Sequence, residues 1–273
     1  MLGRNSYGKS GIRLVRVDRA TAIHALSDLT VAVRLEGDFE AAHVAGDNSA
    51  VLPTDTMKNT VYALAKELPG REIEDFALAL SEHFLRENPQ VSGSEVSIEE
   101  RIWGRLGPTS FEGSSSERRT ARAARSRKGV ALESGLKDLL ILKSAQSGFS
   151  GFVRDRYTTL PETGDRLLAT SLTAVWAHRS AAGPFAGRWE AVRRTLLDTF
   201  AAHDSASVQH TLYAMGEAAL GAHAGLGEIR LTMPNRHHLL VDLSPFGLTN
   251  ENEIFVATEE PYGVIEATVT RKP

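Results

Sequence analysis

Twice along its length this chain runs from strand-like residues into a pair of amphipathic helices and back into strands. That repetition limits the fold more than any other feature. In the first pass Ile12, Leu14 and the run 15–17 make a short strand pattern, and residues 22–35 make a second β-rich run, so a hairpin is expected. The stretch Tyr7-Gly8-Lys9-Ser10-Gly11 ahead of it reads as a turn. A helix is expected from about Thr54, with Val61, Leu64, Ala65 and Leu68 on one face. Beyond the Leu68-Pro69-Gly70 break a second is expected over 73–85, with Phe76, Ala77, Leu80 and Phe84 aligned. Residues 91–106, including Trp103, and 130–142 return to strand character. The second pass predicts strands at 139–143 and 171–178. Helices follow at about 189–202, with the stripe Trp189, Val192, Leu196 and Phe200, and at about 205–223. Strands are expected at 228–232, 237–243, 253–256 and 263–270. Two tandem halves, 1–137 and 138–273, are the simplest summary, although their letters are too different to be called a repeat. Helices covering one face of antiparallel sheet make an α+β arrangement. The bare face needs a cover, and self-association is the usual one.

At 273 residues there is room for two cores or one large one, and a hydrophobic share of 42% against 24% charged is ordinary for a soluble globular chain. The net charge of −3 exerts no general pull on nucleic acid or anionic membrane. No apolar run approaches the length of a membrane span, and no secretory leader pattern opens the chain. Cysteine is absent, which removes disulfides and thiolate metal sites and fits a reducing compartment. The ending Thr270-Arg271-Lys272-Pro273 is not a peroxisomal address, so the cytoplasm is the default.

One local run departs from the acidic whole. Within 107–129, after Pro108, Gly113 and Ser114-Ser115-Ser116, come Arg118, Arg119, Arg122, Arg125, Arg127 and Lys128. No aromatic residue lies among them to stack a base, so a solvated hairpin tip is expected in preference to a nucleic-acid contact.

The segment Gly46–Lys66 carries the first hint of chemistry. Thr54, Asp55 and Thr56 stand where a helix begins, so hydroxyls and a carboxylate meet unpaired backbone amides and the positive end of a helix dipole. Such a place suits a small anion as well as an ordinary cap. Its wording, and that of five other segments, resembles the urate oxidase (uricase) family. The segments are Tyr7-Gly8-Lys9; Gly46-Asp47-Asn48 through Thr54-Asp55-Thr56 and Lys58-Asn59-Thr60; and Phe149 with Gly151-Phe152-Val153-Arg154-Asp155-Arg156-Tyr157-Thr158-Thr159-Leu160. The remaining three are Asp165-Arg166, Ser205-Ala206-Ser207-Val208-Gln209 and Pro234-Asn235-Arg236-His237-His238. In this order they span nearly the whole chain.

The resemblance implies a tunnelling fold of two pseudo-repeated halves, four such subunits forming a barrel, and active sites between subunits. It also implies oxidation of urate by O₂ to 5-hydroxyisourate and H₂O₂ without metal, flavin or nicotinamide. Lys9 and Thr54 would be the proton-handling couple, with His237 as its third member. Arg166 would clamp one edge of the flat anion with its planar fork, and Gln209 would read an adjacent N–H and C=O. Phe149 would stack on the ring, Leu160 would close the pocket edge, and Val208 and Asp55 would contribute backbone groups. Thr54 and Asn235 would hold O₂ or water across the purine plane. A base role for Lys9 requires its pKa to be lowered by burial or a neighbouring cation. His237 and His238, adjacent in a strand, would face opposite ways, so only one can serve. The match selects His237.

Three positions depart from the pattern. Pro53 precedes Thr54 and is expected to hold it extended, Arg236 replaces a usual lysine, and Gly164 stands where a larger residue is common and could loosen the Arg166 loop. Two other functions are weighed. A metal-dependent tunnelling-fold enzyme needs convergent ligands, yet His24, His43, His83, His178, His203, His210 and His223 show no metal-ligand spacing. A non-catalytic purine carrier would keep Arg166 and Gln209 but lose Lys9, Thr54 or His237, all of which are present.

Overall fold

Alternation builds the first sheet: Leu29, Val31, Val33 and Leu35 are buried and the residues between them are less so, the period of a half-buried strand. A computed structural model describes residues 1–113 and 116–271. Ser114 and Ser115 of the expected tip, and Lys272 and Pro273 of the C-terminal reading, lie outside the described residues. Two compact units emerge, Met1–Gly135 with Ala177–Trp189, and Leu136–Trp176 with Glu190–Pro273.

In the first unit β1 (Tyr7–Asp18) and β2 (Ala25–Gly37) form the expected antiparallel pair. The Tyr7–Gly11 stretch is not a turn, however. It is the start of β1, interrupted by a bulge between Lys9 and Ile12 where Gly11 takes φ +70. A short helix α1 (Glu40–Val44) is followed by α2 (Thr54–Glu67) and α3 (Ile73–Glu87), close to the predicted bounds. Next come β3 (Val91–Arg101), the short pair β4 (Gly104–Arg105) and β5 (Phe111–Glu112), then β6 (Arg118–Ser126) and β7 (Gly129–Lys143), which enters the second unit at Leu136. The strand order is β1-β2-β3-β6-β7. Met57, Val61 and Ala65 of α2 and Phe76, Ala77, Leu80 and Phe84 of α3 pack on Val31, Val33, Val96, Ile98, Ala121 and Ala123, so the helices cover one face of the sheet. Trp103 falls between β3 and β4, outside any strand, because its indole N–H donates to the buried Asp28 carboxylate at 3.2 Å.

The basic run is a solvated hairpin tip only at its end, where Arg127 and Lys128 form the exposed turn between β6 and β7; the rest overturns that expectation. Residues 118–126 are an interior strand, registered on β3 with Ile98 opposite Ala121 and Val96 opposite Ala123. Small alanines on the core side admit α3, and the arginines find acids on both faces. Arg119 pairs with Glu74 at 2.6 Å and Arg125 with Glu82 at 3.9 Å, both on α3, while Arg122 pairs with Glu95 and with Glu133 at 3.1 Å. Behind this lies a polar chain. The Arg188 guanidinium donates to His178 Nδ1 at 3.0 Å, so His178 Nε2–H donates to Ser134 Oγ at 2.7 Å, and Ser134 donates to the buried Glu74 carboxylate at 2.6 Å. Burial, then the Arg188 charge, pulls His178 down to about 4.

The second unit continues with β8 (Leu168–His178), whose last two residues belong to the first unit. It is followed by α4 (Phe185–Ala202), which starts four residues before its expected beginning and enters the second unit at Glu190, and α5 (Val208–Ala222). Trp189, Val192, Leu196 and Phe200 are buried, as their spacing predicts. Then come β9 (Leu226–Thr232), β10 (Asn235–Arg236), β11 (His238–Leu240), β12 (Phe255–Ala257) and β13 (Glu266–Thr270). The order here is β7-β8-β9-β13, with β10 on β8 and β11 pairing β12. Helix α5 lies so close to β13 that a Cβ at Gly216 would meet Val269 at 2.5 Å, so only glycine fits. No helix among the described residues is long and apolar enough to cross a membrane.

Candidate active site

The residues singled out above divide between the units. Lys9, Thr54 and Asp55 belong to the first; Phe149, Leu160, Arg166, Val208, Gln209, Asn235 and His237 belong to the second.

In the first unit Lys9 is held by two local devices. Gly8 crosses β2 so tightly that a Cβ would lie 1.9 Å from the Val33 carbonyl oxygen, and the bulge after Lys9 re-aims the strand. Pro53 carries the extended angles itself (φ −56, ψ 138) and Thr54 is the first helical residue, so the expectation of an extended Thr54 fails. A proline immediately ahead of a helix sacrifices no hydrogen bond, since that amide has no partner in any case. Nor do side chains cap this helix end. The Asp55 carboxylate goes instead to Lys58 and to Asn59, the latter at 3.0 Å. The Lys58 hydrogen bond holds the Asp55 carboxyl below its usual value, and the Lys9 ammonium adds to the same effect. Lys9 and the N-terminus of α2 therefore share one electrostatic neighbourhood.

In the second unit the loop 150–162 is cinched at its neck, where Phe149 and Thr163 exchange backbone hydrogen bonds at 2.8 and 3.1 Å. Just beyond it the Arg166 guanidinium carbon sits 5.2 Å from the Phe149 ring centroid, a cation over an aromatic face. Its Nε is buried without a hydrogen-bond partner, and burial lowers the pKa of a group that nonetheless stays charged. Phe152 stacks on Phe149 at 4.9 Å with 13° between the planes. Val208 and Gln209 open α5, whose cap is Ser207, its side chain accepting from His210 N–H at 3.1 Å; Val208 is buried and Gln209 exposed. Leu160 is exposed on the loop.

Asn235 is fixed from two sides, paired with Thr170 of β8 and donating its backbone N–H to Gly263 at 2.8 Å. Its side-chain nitrogen lies 3.4 Å from His237 Nδ1. The two histidines are not successive residues of one strand: β10 ends at Arg236 and β11 begins at His238, with His237 in the break. The end of β10 and the break after it thus bring Asn235 and His237 together, and the neck of the loop brings Phe149 and Arg166 together. Two supporting side chains were not singled out from sequence: Phe152, and Asp165, whose carboxylate accepts the Ser147 N–H at 3.1 Å. Both lie inside the quoted motifs, but their contacts are made by folding and leave no mark in the letters.

Cavities of about 600, 250, 340 and 480 Å³ among the described residues are lined by other side chains than these ten. Among the described residues no three His, Cys, Asp or Glu side chains converge as metal ligands. The second unit offers a guanidinium beside an aromatic face and, at the start of α5, the exposed amide side chain of Gln209.

The family described as Uricase matches residues 5–128 and 132–266. The chain is 45% identical to a uricase of Arthrobacter globiformis, covering 100% of this chain and 90% of that one, and 37% identical to a uricase of Danio rerio, covering 99% and 95%. Among solved structures it resembles the Arthrobacter globiformis uricase crystal structure (TM-score 0.96, 45% identity, 100% and 95% covered). It also resembles a uricase from Bacillus fastidious (TM-score 0.84, 25% identity, 97% and 93% covered).

Proposed function

The chain belongs to the uricase family, and from that premise we propose that it oxidises urate with O₂ and water to 5-hydroxyisourate and H₂O₂, using no metal, flavin or nicotinamide. It is an oxidoreductase acting on urate, in the tunnelling fold of its relatives.

Arg166 clamps one edge of the urate anion, Gln209 reads the neighbouring edge, Phe149 stacks beneath the ring, and Leu160 and Val208 close the rim. The observation that carries this is the Arg166 guanidinium held over Phe149 with a buried, unpartnered Nε–H. A buried donor without a partner is costly, and an anionic ring edge would relieve it. Lys9 and Thr54, with His237, remove and relay the proton whose loss makes urate electron-rich enough to meet O₂. Thr54 and Asn235 hold O₂ and then water, and Asp55 lends its backbone. Two electrons leave urate and two protons accompany them to dioxygen, which departs as peroxide, while water adds to the oxidised ring carbon.

The site is completed by another copy: the Lys9–Thr54–Asp55 group of one subunit serves the Arg166–Gln209 group of another, in a homotetramer of chains built from halves 1–137 and 138–273, with the cytoplasm as compartment; what supports the pairing is that the two groups fall in different compact units of the chain. The test is direct. Metal-stripped protein in air-saturated urate should remove the substrate's near-ultraviolet absorbance and form one peroxide per urate consumed. Untouched urate, or activity abolished by a chelator and restored by a metal, would overturn the reading.

A further inference from the structure

The reading above names which second-unit groups meet urate; how they are held in register is a separate matter, and it rests on that reading. Three stretches distant in sequence deliver the groups: 146–149 carries Phe149, 163–166 carries Arg166, and 203–209 carries Val208 and Gln209. They meet at Ser147 and Ser205, which are 0% and 1% exposed and form a parallel bridge. Gly148 N–H donates to the Ser205 carbonyl at 2.8 Å and Ser205 N–H to the Gln146 carbonyl at 2.9 Å, so the first and third stretches are joined through the backbone. Ser205 Oγ then donates to the Ser207 carbonyl at 3.0 Å, immediately before α5 begins.

The arginine-bearing stretch joins this knot through one side chain. Asp165 Oδ1 accepts the backbone N–H of the wholly buried Ser147 at 3.1 Å, and the Asp165 carbonyl accepts from Thr163 Oγ1 at 2.7 Å. The two backbones run close enough that a Cβ on Gly148 would lie 3.1 Å from the Gly164 carbonyl oxygen. We propose that Asp165 is a positioning residue for urate: by taking the Ser147 N–H it registers Arg166 against Phe149 and against the start of α5. Loss of its acceptor leaves a buried N–H without a partner, which the chain relieves by shifting 146–149 away from 163–166. A clamp on a flat ring tolerates little such drift, because its donors must meet fixed ring atoms.

The experiment uses the full-length assembled protein and urate itself, with binding measured without oxygen and turnover measured in air. Asp165→Ala should raise both the anaerobic Kd and the KM for urate about tenfold while kcat changes less than about threefold, since the interaction serves ground state and transition state alike. Asp165→Asn keeps a carbonyl acceptor at the same place and should return both constants to within about twofold of the parent. If Asp165→Ala does not fold, Asp165→Glu, which keeps the charge but displaces the acceptor, should show the same rise. Unchanged Kd and KM in a variant that merely melts at lower temperature would overturn the proposal. So would an Asn variant as impaired as Ala, which would make charge and not the hydrogen bond the cause. A parent protein that binds no urate would instead overturn the functional reading beneath it.

Discussion

Arg166 holds a buried Nε–H without a partner while its guanidinium leans on a phenyl face, so a cation stands ready beside a flat hydrophobic surface. Lys9 is the complementary case, a cation whose field reaches Asp55 at the mouth of a helix. As the proposed base, Lys9→Ala should lower turnover roughly 10²–10⁴-fold and leave anaerobic urate binding nearly intact, as paired kinetic and binding titrations would read. Full turnover in that variant would remove Lys9 from the chemistry. Nothing lies within 4 Å of where a Cβ on Gly164 would be, nor is its backbone left-handed. Gly164→Ala should therefore raise stability by about 0.4–1 kcal/mol by restricting the unfolded chain, a gain that urea titration can detect. A loss would mean that the Arg166 loop needs glycine there. At this scale, sequence resemblance singled out Arg166 and Phe149, whereas Asp165 was visible only as a neighbour, because its bond to Ser147 joins segments eighteen residues apart.

Helices were the elements most easily read. Val61 and Ala65, or Val192 and Leu196, repeat at spacings that a single helix face explains without knowledge of what packs on it. Strand β6 was misread for the opposite reason. Arg119, Arg122 and Arg125 look solvated until Glu74, Glu82, Glu95 and Glu133 arrive from α3, β3 and β7, and nothing near residue 118 announces them. The bulge in β1 escaped likewise, since Gly8 and Gly11 are turn residues in most contexts. Helix α5 yields a prediction at this scale. Ser207 caps its first turn, where Val208 and Gln209 lie, so Ser207→Ala should cost about 1 kcal/mol of stability and raise the KM for urate. Denaturant midpoints and Michaelis curves on the same preparation would check both. An unaltered KM would detach the cap from substrate recognition.

For the molecule as a whole, the family pattern was legible because its segments are spread from residue 7 to the last strands, so no local misreading erased it. Acid stability was not legible, because it depends on His178 being folded between Ser134 and Arg188. Its folded pKa of about 4 lies below the ordinary 6.5, so between those values the unfolded chain binds the extra proton and stability falls as pH is lowered. After allowance for solvent screening, this amounts to about 1–2 kcal/mol. Glu74 and Glu100, raised chiefly by burial, act in the opposite sense: their contribution is present at low pH and is lost as pH rises past their folded values. Melting temperatures at pH 7 and pH 5 should therefore converge in His178→Gln relative to the parent. Equal acid sensitivity in the two would show that another group governs it.

The cinched neck between Phe149 and Thr163 has one more consequence, for a severed chain. Arg154 and Arg156 stand exposed on the far side of that closure, so scission by trypsin after either would open the peptide without releasing its two ends. The fragments should travel as one particle in native chromatography and part only in detergent.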